Sequence, residues 1–277
     1  MDKIKKVYID SRYKTSDSIS NSDFKFELKE QIEVPDNTVC YIDDISIPHS
    51  WYTVEEYNNR LYIAHWNTVN NADDNIVIII PTGNYTGASF ASAVQTALQE
   101  RFSWMTCVYN TATGTITISS DNDFRIISDI LAISLQQWGI VWRDKNHQPV
   151  ILEEGDLRSI NDIIRNSEAI PAADASNTFE TEFLDLLNVH NIYIHCPNIG
   201  HYNSIGVRGE SSIIKKVPVS SSFGYLIMDS VVAPHDKIDV SRQSIKTMQF
   251  TLKNVHGNII NLHGAHVSFS LIFQTIE

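Results

Sequence analysis

Apolar and polar positions alternate towards both ends of this chain and follow other rules in the middle. Phe24, Phe26 and Leu28 are separated by Lys25 and Glu27, the two-residue period of a strand buried on one face. A second strand is predicted over 39–47, stopped by Pro48, and a short third over 60–66. Pro35-Asp36-Asn37 marks the turn between the first two. Strands are again predicted over 189–196, 212–219, 223–228, 245–252 and 267–273, with a turn at 254–258.

The middle mixes periods. The aliphatic run 76–80 ends in a turn at 81–86, after which Phe90, Val94, Ala97, Leu98 and Phe102 recur at helical spacing over 87–102. Strands over 106–109 and 115–119 flank Asn110-Thr111-Ala112-Thr113-Gly114 as a β-hairpin. A strand over 124–127 follows, and Ser128-Asp129 supplies an N-cap for a short helix over 130–137. From 143 to 182 the period is lost, with room for a brief helix over 157–164 and a linker over 171–178. Residues 11–23 are polar and Ser-rich and read as an irregular arm, with too little apolar surface to offset their ordering entropy. Strands at both ends with a compact α+β module between them give a mainly β chain, a β-sandwich carrying an insertion.

Composition narrows the function. The 277 residues are 43% hydrophobic and 19% charged, with a net charge of −12. That is too apolar for a disordered chain and too acidic for a protein that coats nucleic acid unaided. Lys5-Lys6 and Lys215-Lys216 are the basic doublets, too sparse for sequence-specific nucleic-acid binding. Eleven glycines argue against a glycine-rich nucleotide-binding architecture. Cys40, Cys107 and Cys196 form no C-x-x-C pair and read as reduced, buried thiols. The charged start, Met1 to Lys6, has no apolar stretch behind it, so secretion is not expected. The run 76–80 is far short of the ~20 apolar residues that span a bilayer, so no membrane insertion is expected.

Catalytic spacings do not converge. His263 and His266 are three apart in a strand-like context, which puts them on opposite faces. Asp43-Asp44 are adjacent strand residues and diverge in the same way, so they cannot share a proton; a strand end facing a turn is expected there. His195-Cys196 diverge likewise. No catalytic, cofactor-binding or metal-ligating residue is assigned, and no enzyme activity is expected. Trp51, Tyr52, Tyr57, Tyr62 and Trp66 cluster over 51–66, as sandwich core or as an interface or sugar-binding face.

Several stretches resemble a known family. They are Val7-Tyr8-Ile9-Asp10-Ser11-Arg12-Tyr13-Lys14, Asn21-Ser22-Asp23-Phe24-Lys25-Phe26, Tyr41-Ile42-Asp43-Asp44-Ile45-Ser46-Ile47-Pro48, Pro81-Thr82-Gly83-Asn84-Tyr85-Thr86-Gly87, Val217-Pro218-Val219 and Leu262-His263-Gly264-Ala265-His266. The chain resembles the minor capsid (penton) proteins of Polinton/Maverick elements and of adintovirus-like and virophage lineages. The resemblance implies a single jelly-roll β-sandwich through 23–56 and 183–277, an inserted small α+β module with linker over 57–182, and a polar N-terminal arm over 1–22. It implies a homopentamer at the fivefold vertices of an icosahedral virion capsid, in contact with a double-jelly-roll major capsid protein and possible further minor capsid proteins, with synthesis in the host cytoplasm or nucleus. No cofactor is implied. Arg208-Gly209-Glu210 differs from the integrin-binding Arg-Gly-Asp, so receptor binding is not carried over. Arg12, Tyr13, Trp51, Tyr52 and Arg208 are the expected interface residues, chosen as exposed aromatics and arginines. The rival expectation is a fibre or host-attachment sandwich that binds a glycan or protein receptor through the 51–66 aromatics.

Overall fold

The computed structural model describes residues 4–67, 72–153, 159–164, 176–199 and 212–276. The chain divides into two compact units, Met1–Trp51 with Val189–Glu277, and Tyr52–Asn188. The first unit opens with β1 (Ile4–Asp10), β2 (Asp23–Glu33) and β3 (Thr38–Pro48). The second holds β4 (Arg60–Asn67), β5 (Ala72–Ile79), α1 (Gly87–Gln99), β6 (Thr106–Asn110), β7 (Thr115–Ile127), α2 (Asp129–Gln137), β8 (Trp142–Arg143), β9 (Pro149–Val150), α3 (Asn161–Ile164) and β10 (Ser176–Glu180). The chain then returns through β11 (Asn191–His195), β12 (Ile213–Pro218), β13 (Leu226–Asp229), β14 (Ile238–Asp239), β15 (Ser244–Lys253) and β16 (Ser268–Thr275).

The first unit is a jelly roll. One sheet runs β1-β16-β3-β13, with β14 also on β3, and the other runs β12-β11-β15-β2. Every pair is antiparallel. Successive strands alternate between the sheets except at the β11–β12 hairpin, with β1, β3, β13 and β16 in one sheet and β2, β11, β12 and β15 in the other. That is the winding of an eight-stranded jelly roll, with its sixth position split into β13 and β14. The second unit is inserted between β3 and β11. Inward residues of both sheets form one core, including Phe24, Ile42, Ile47, Ile194, Phe250 and Phe269. Phe250 and Phe269 meet edge-on across the sheets at 4.9 Å, a geometry favourable beyond the area it buries.

Three expectations for this unit need correction. Residues 4–10 are not part of an arm: β1 pairs with β16 from Ile4–Gln274 to Asp10–Ser268. Its inward positions are only Val7 and Ile9, which makes it inconspicuous by pattern. Asp43-Asp44 is not a strand end. The register slips between Ser270–Asp44 and Leu271–Ile42, so Asp43 is the extra residue of a bulge and the inward phase moves from Ile42 to Ile45. The strand predicted from 223 starts at Leu226, because Gly224 turns the chain at φ +85° and its N–H bonds the His49 carbonyl.

The second unit is built on a seven-stranded sheet, β10-β7-β4-β5-β8-β9, with β6 on β7. Leu61, Ile63, Ile76 and Ile78 join one core with Phe90, Val94 and Leu98 of α1. Tyr62, Ala64 and Val77 join another with Ala132 of α2 and Trp142. A sheet covered on both faces explains the unbroken aliphatic run of β5. Thr86 caps α1 reciprocally with Ser89, and Ser128 caps α2. The strand predicted over 124–127 is the far half of β7, whose near half pairs with β6 and whose end pairs with β4. The flanks of the unit are drawn in by a Val54–Gly83 bridge and by the N–H groups of Thr181 and Leu184 on the carbonyls of Ile116 and Gly114. Only residues 161–164 of the expected 157–164 helix are helical; 157–158 lie outside the described residues.

Candidate interaction surfaces

The polar stretch after β1 is ordered by hydrogen bonds rather than apolar burial. Asp10 accepts from the Arg12 backbone N–H and holds its guanidinium through both carboxylate oxygens. Arg12 thereby keeps the Asp10 carboxyl below its usual range. Ser11 is buried; its hydroxyl accepts from the Val267 N–H and meets His266 Nδ1 at 3.2 Å. Asn21 Nδ2 donates to the carbonyls of Gly264 and Ala265. Lys25 pairs with Asp17 at 2.6 Å and, with Thr15, lowers that carboxyl to about 2. The stretch from Lys14 to Ser22 carries no helix or strand, as expected, but its residues spend their polar groups on their own chain.

The expected interface residues that are described differ in burial. Arg12 and Tyr13 sit together, Tyr13 being 76% exposed. Trp51 is 2% exposed and stacks on His49 at 4.2 Å, so it is a core side chain and not an exposed anchor. Its neighbours are held by two hydrogen bonds: His49 Nδ1 bonds the Ser221 carbonyl, and His263 Nδ1 bonds that of Ser50. Tyr52 is half-buried in the second unit. Arg208 lies outside the described residues. Tyr62 is buried edge-on against Trp142, and the side chain of Trp66 is outside the described ones. An exposed sugar-binding face at 51–66 is not what Trp51 and Tyr62 build.

Other candidate groups are spoken for. The Cys196 thiol is buried and pushed up to about 12 by desolvation, so the adjacent His195 has no thiolate beside it. His263 and His266 have separate partners. Among the described residues no group of three or more His, Cys, Asp or Glu is placed to hold a metal ion.

Two features escaped pattern reading. Lys215 shares the inward phase of Val217 on β12, and its side chain is only 3% exposed. Its Nζ donates to the Val231 carbonyl and lies 3.4 Å from Asp229 and 3.7 Å from Asp236. A buried lysine with two carboxylates thus ties the edge of one sheet to the edge of the other, compensating a charge that would be costly alone. The second feature is a row of apolar side chains on β13 and its flanks. Ile227 points into the core, while Tyr225, Leu226, Met228 and Val231 are exposed. The unbroken run Tyr225-Leu226-Ile227-Met228 was the available signal. The outer face of the other sheet is charged instead, with Lys25, Glu27 and Lys246 exposed or half-exposed and Lys246 paired to Glu27 at 3.2 Å.

No family model matches the chain, and no curated protein matches it. Among solved structures, a crystal structure of the mavirus penton protein is similar over 99% of this chain and 100% of that one, with 9% identity and a TM-score of 0.49.

Proposed function

We propose that this chain is a structural capsid protein that forms the pentameric vertices of an icosahedral virus-like shell. It acts by self-assembly and by contact with a double-jelly-roll major capsid protein, and its place is the virion. The observation that carries the reading is the strand order, β1-β16-β3-β13 over β12-β11-β15-β2, the winding used by many capsid subunits. The sequence resemblance to penton proteins supports it. Arg12 and Tyr13 remain as exposed contact residues.

The test is the solution mass by light scattering over a range of concentration and salt, followed by co-assembly with the major capsid protein. Five copies of the 31.4 kDa chain give about 157 kDa, and that particle is expected, alone or in the co-assembly. Replacing Arg12 and Tyr13 by Ala is expected to weaken incorporation into shells without unfolding the chain. A stable trimer would favour the attachment reading. A monomer that also fails to enter shells would overturn the vertex reading.

A further inference from the structure

The first sheet of the jelly roll ends in two strands that, among the described residues, are paired on one side only. These are β1, on β16, and the β13–β14 edge, on β3. Open edges are usually blunted by charge, proline or a covering element. Here both carry exposed apolar side chains. Ile4 and Tyr8 project from β1, with Tyr8 72% exposed. Leu226 and Met228 project from β13, with Met228 74% exposed, and Tyr225 and Val231 extend the row. The Lys6 ammonium lies over the Tyr8 ring at 5.3 Å, and the other exposed apolar side chains of the two rows face water.

The charges at the two edges differ in sign. The β1 edge carries Lys5, Lys6 and Arg12 against Asp10, and the β13–β14 edge carries Asp229, Asp236 and Asp239 against Lys237. Part of this is neutralised within the chain: Lys6 by Asp43, Arg12 by Asp10, and Asp229 and Asp236 by Lys215. Lys5 and Asp239 stay exposed at opposite edges, and Asp239 accepts from the backbone and hydroxyl of Ser241 within its own turn. Two like edges brought together would oppose like charges; two unlike edges would not.

We propose that these edges are the two halves of one head-to-tail interface between copies of this chain. The β1 edge of one copy meets the β13–β14 edge of the next, with Tyr8 and Met228 as apolar anchors. Two different patches on one subunit generate a ring when the rotation closes. The proposal rests on the vertex reading and assigns the surfaces that would build it.

The test uses the full chain. Tyr8→Cys and Met228→Cys are made as separate variants and treated with a short bismaleimide, alone and mixed. The native thiols are buried and should stay silent. Covalent dimers are expected in the mixture and not in either variant alone, and the double variant should give a ladder that stops at five chains. Met228→Asp should raise the concentration of half-assembly at least tenfold while leaving the thermal transition of the monomer in place. Dimers formed by either variant alone would overturn the head-to-tail arrangement. A particle of five chains that gives no mixed cross-link would overturn the edge assignment and leave the vertex reading standing. A chain that neither oligomerises nor enters shells would overturn both.

Discussion

In the jelly-roll unit β1 lies against β16, joining Ile4 to Gln274, and β2 lies against β15, joining Phe24 to Phe250. In the Tyr52–Asn188 unit β4 lies against β5 and β6 against β7, each with its neighbour in sequence. One core therefore requires both ends of the chain, and the other requires a single continuous stretch. Loop closure is paid before distant strands reward it, so local pairing forms sooner and alone. The difference teaches that the insertion carries its own reason to fold, whereas neither half of the sandwich does. It also separates the surfaces: the unit closed from both ends exposes apolar side chains on β1 and β13, and the inserted unit buries its central strands on both faces.

The comparison can be broken at its root by cutting the chain. A fragment of residues 52–188 is expected to unfold cooperatively in urea, followed by circular dichroism, and a fragment of residues 1–51 is expected to show no transition. An unfolded 52–188 fragment would end the distinction.

A single side chain should come next. Lys215→Ala leaves Asp229 and Asp236 beside an empty site and is expected to cost the jelly-roll unit about 3 kcal/mol or more. Thiol labelling reads the two units separately. Cys40 and Cys196 lie in one and Cys107 in the other, all buried and all with raised thiol pKa, Cys107 and Cys196 up to about 12. They are therefore protonated and inert near pH 8 until their unit opens. Lys215→Ala should speed labelling of Cys40 and Cys196 and spare Cys107; equal acceleration of all three would show the units to be coupled.

Gly87→Ala is the converse. A Cβ there would fall 2.3 Å from the Tyr109 ring, and the overpacking is expected to cost about 1–3 kcal/mol. Only Cys107 should label faster.

The smallest effect is a pH slope. Burial beside Trp51 pushes the His49 imidazole below its ordinary value, although the Ser221 carbonyl pulls the other way. From about pH 7.5 upward the imidazole is neutral whether folded or unfolded, and it adds no slope. Below that, the unfolded chain takes up a proton that native His49 resists, so the jelly-roll unit loses stability as pH falls. The loss is expected to stay within about 1 kcal/mol by pH 5, and His49→Gln should remove it in urea titrations.

Much of the fold was legible in residue order. The alternation of Phe24, Phe26 and Leu28 placed β2, the turn at 81–86 and the Ser128 cap placed the starts of α1 and α2, and the Asn110–Gly114 turn placed the β6–β7 hairpin. The interaction surfaces were less legible. Arg12 and Tyr13 were found as exposed residues, but Trp51 was misjudged because aromatic content is the same signal in a core and at a contact. Lys215 looked like half of a surface doublet until β12 was given a partner and a phase. The Asp43-Asp44 bulge is invisible to period counting, since it is defined by the facing strand β16.

What the sequence determined by itself was local: turns, caps, strand phase, and the absence of glycine-rich or metal-spaced motifs. These depend on interactions within a few residues, which order along the chain specifies. What only the tertiary structure decided was non-local: β1 as the partner of β16, Lys215 as the tie between two sheet edges, and the apolar rows of β1 and β13 as the two ends of one sheet. The physical reason is that exposure and pairing belong to the neighbour a residue acquires on folding, and here that neighbour can lie more than 200 residues away.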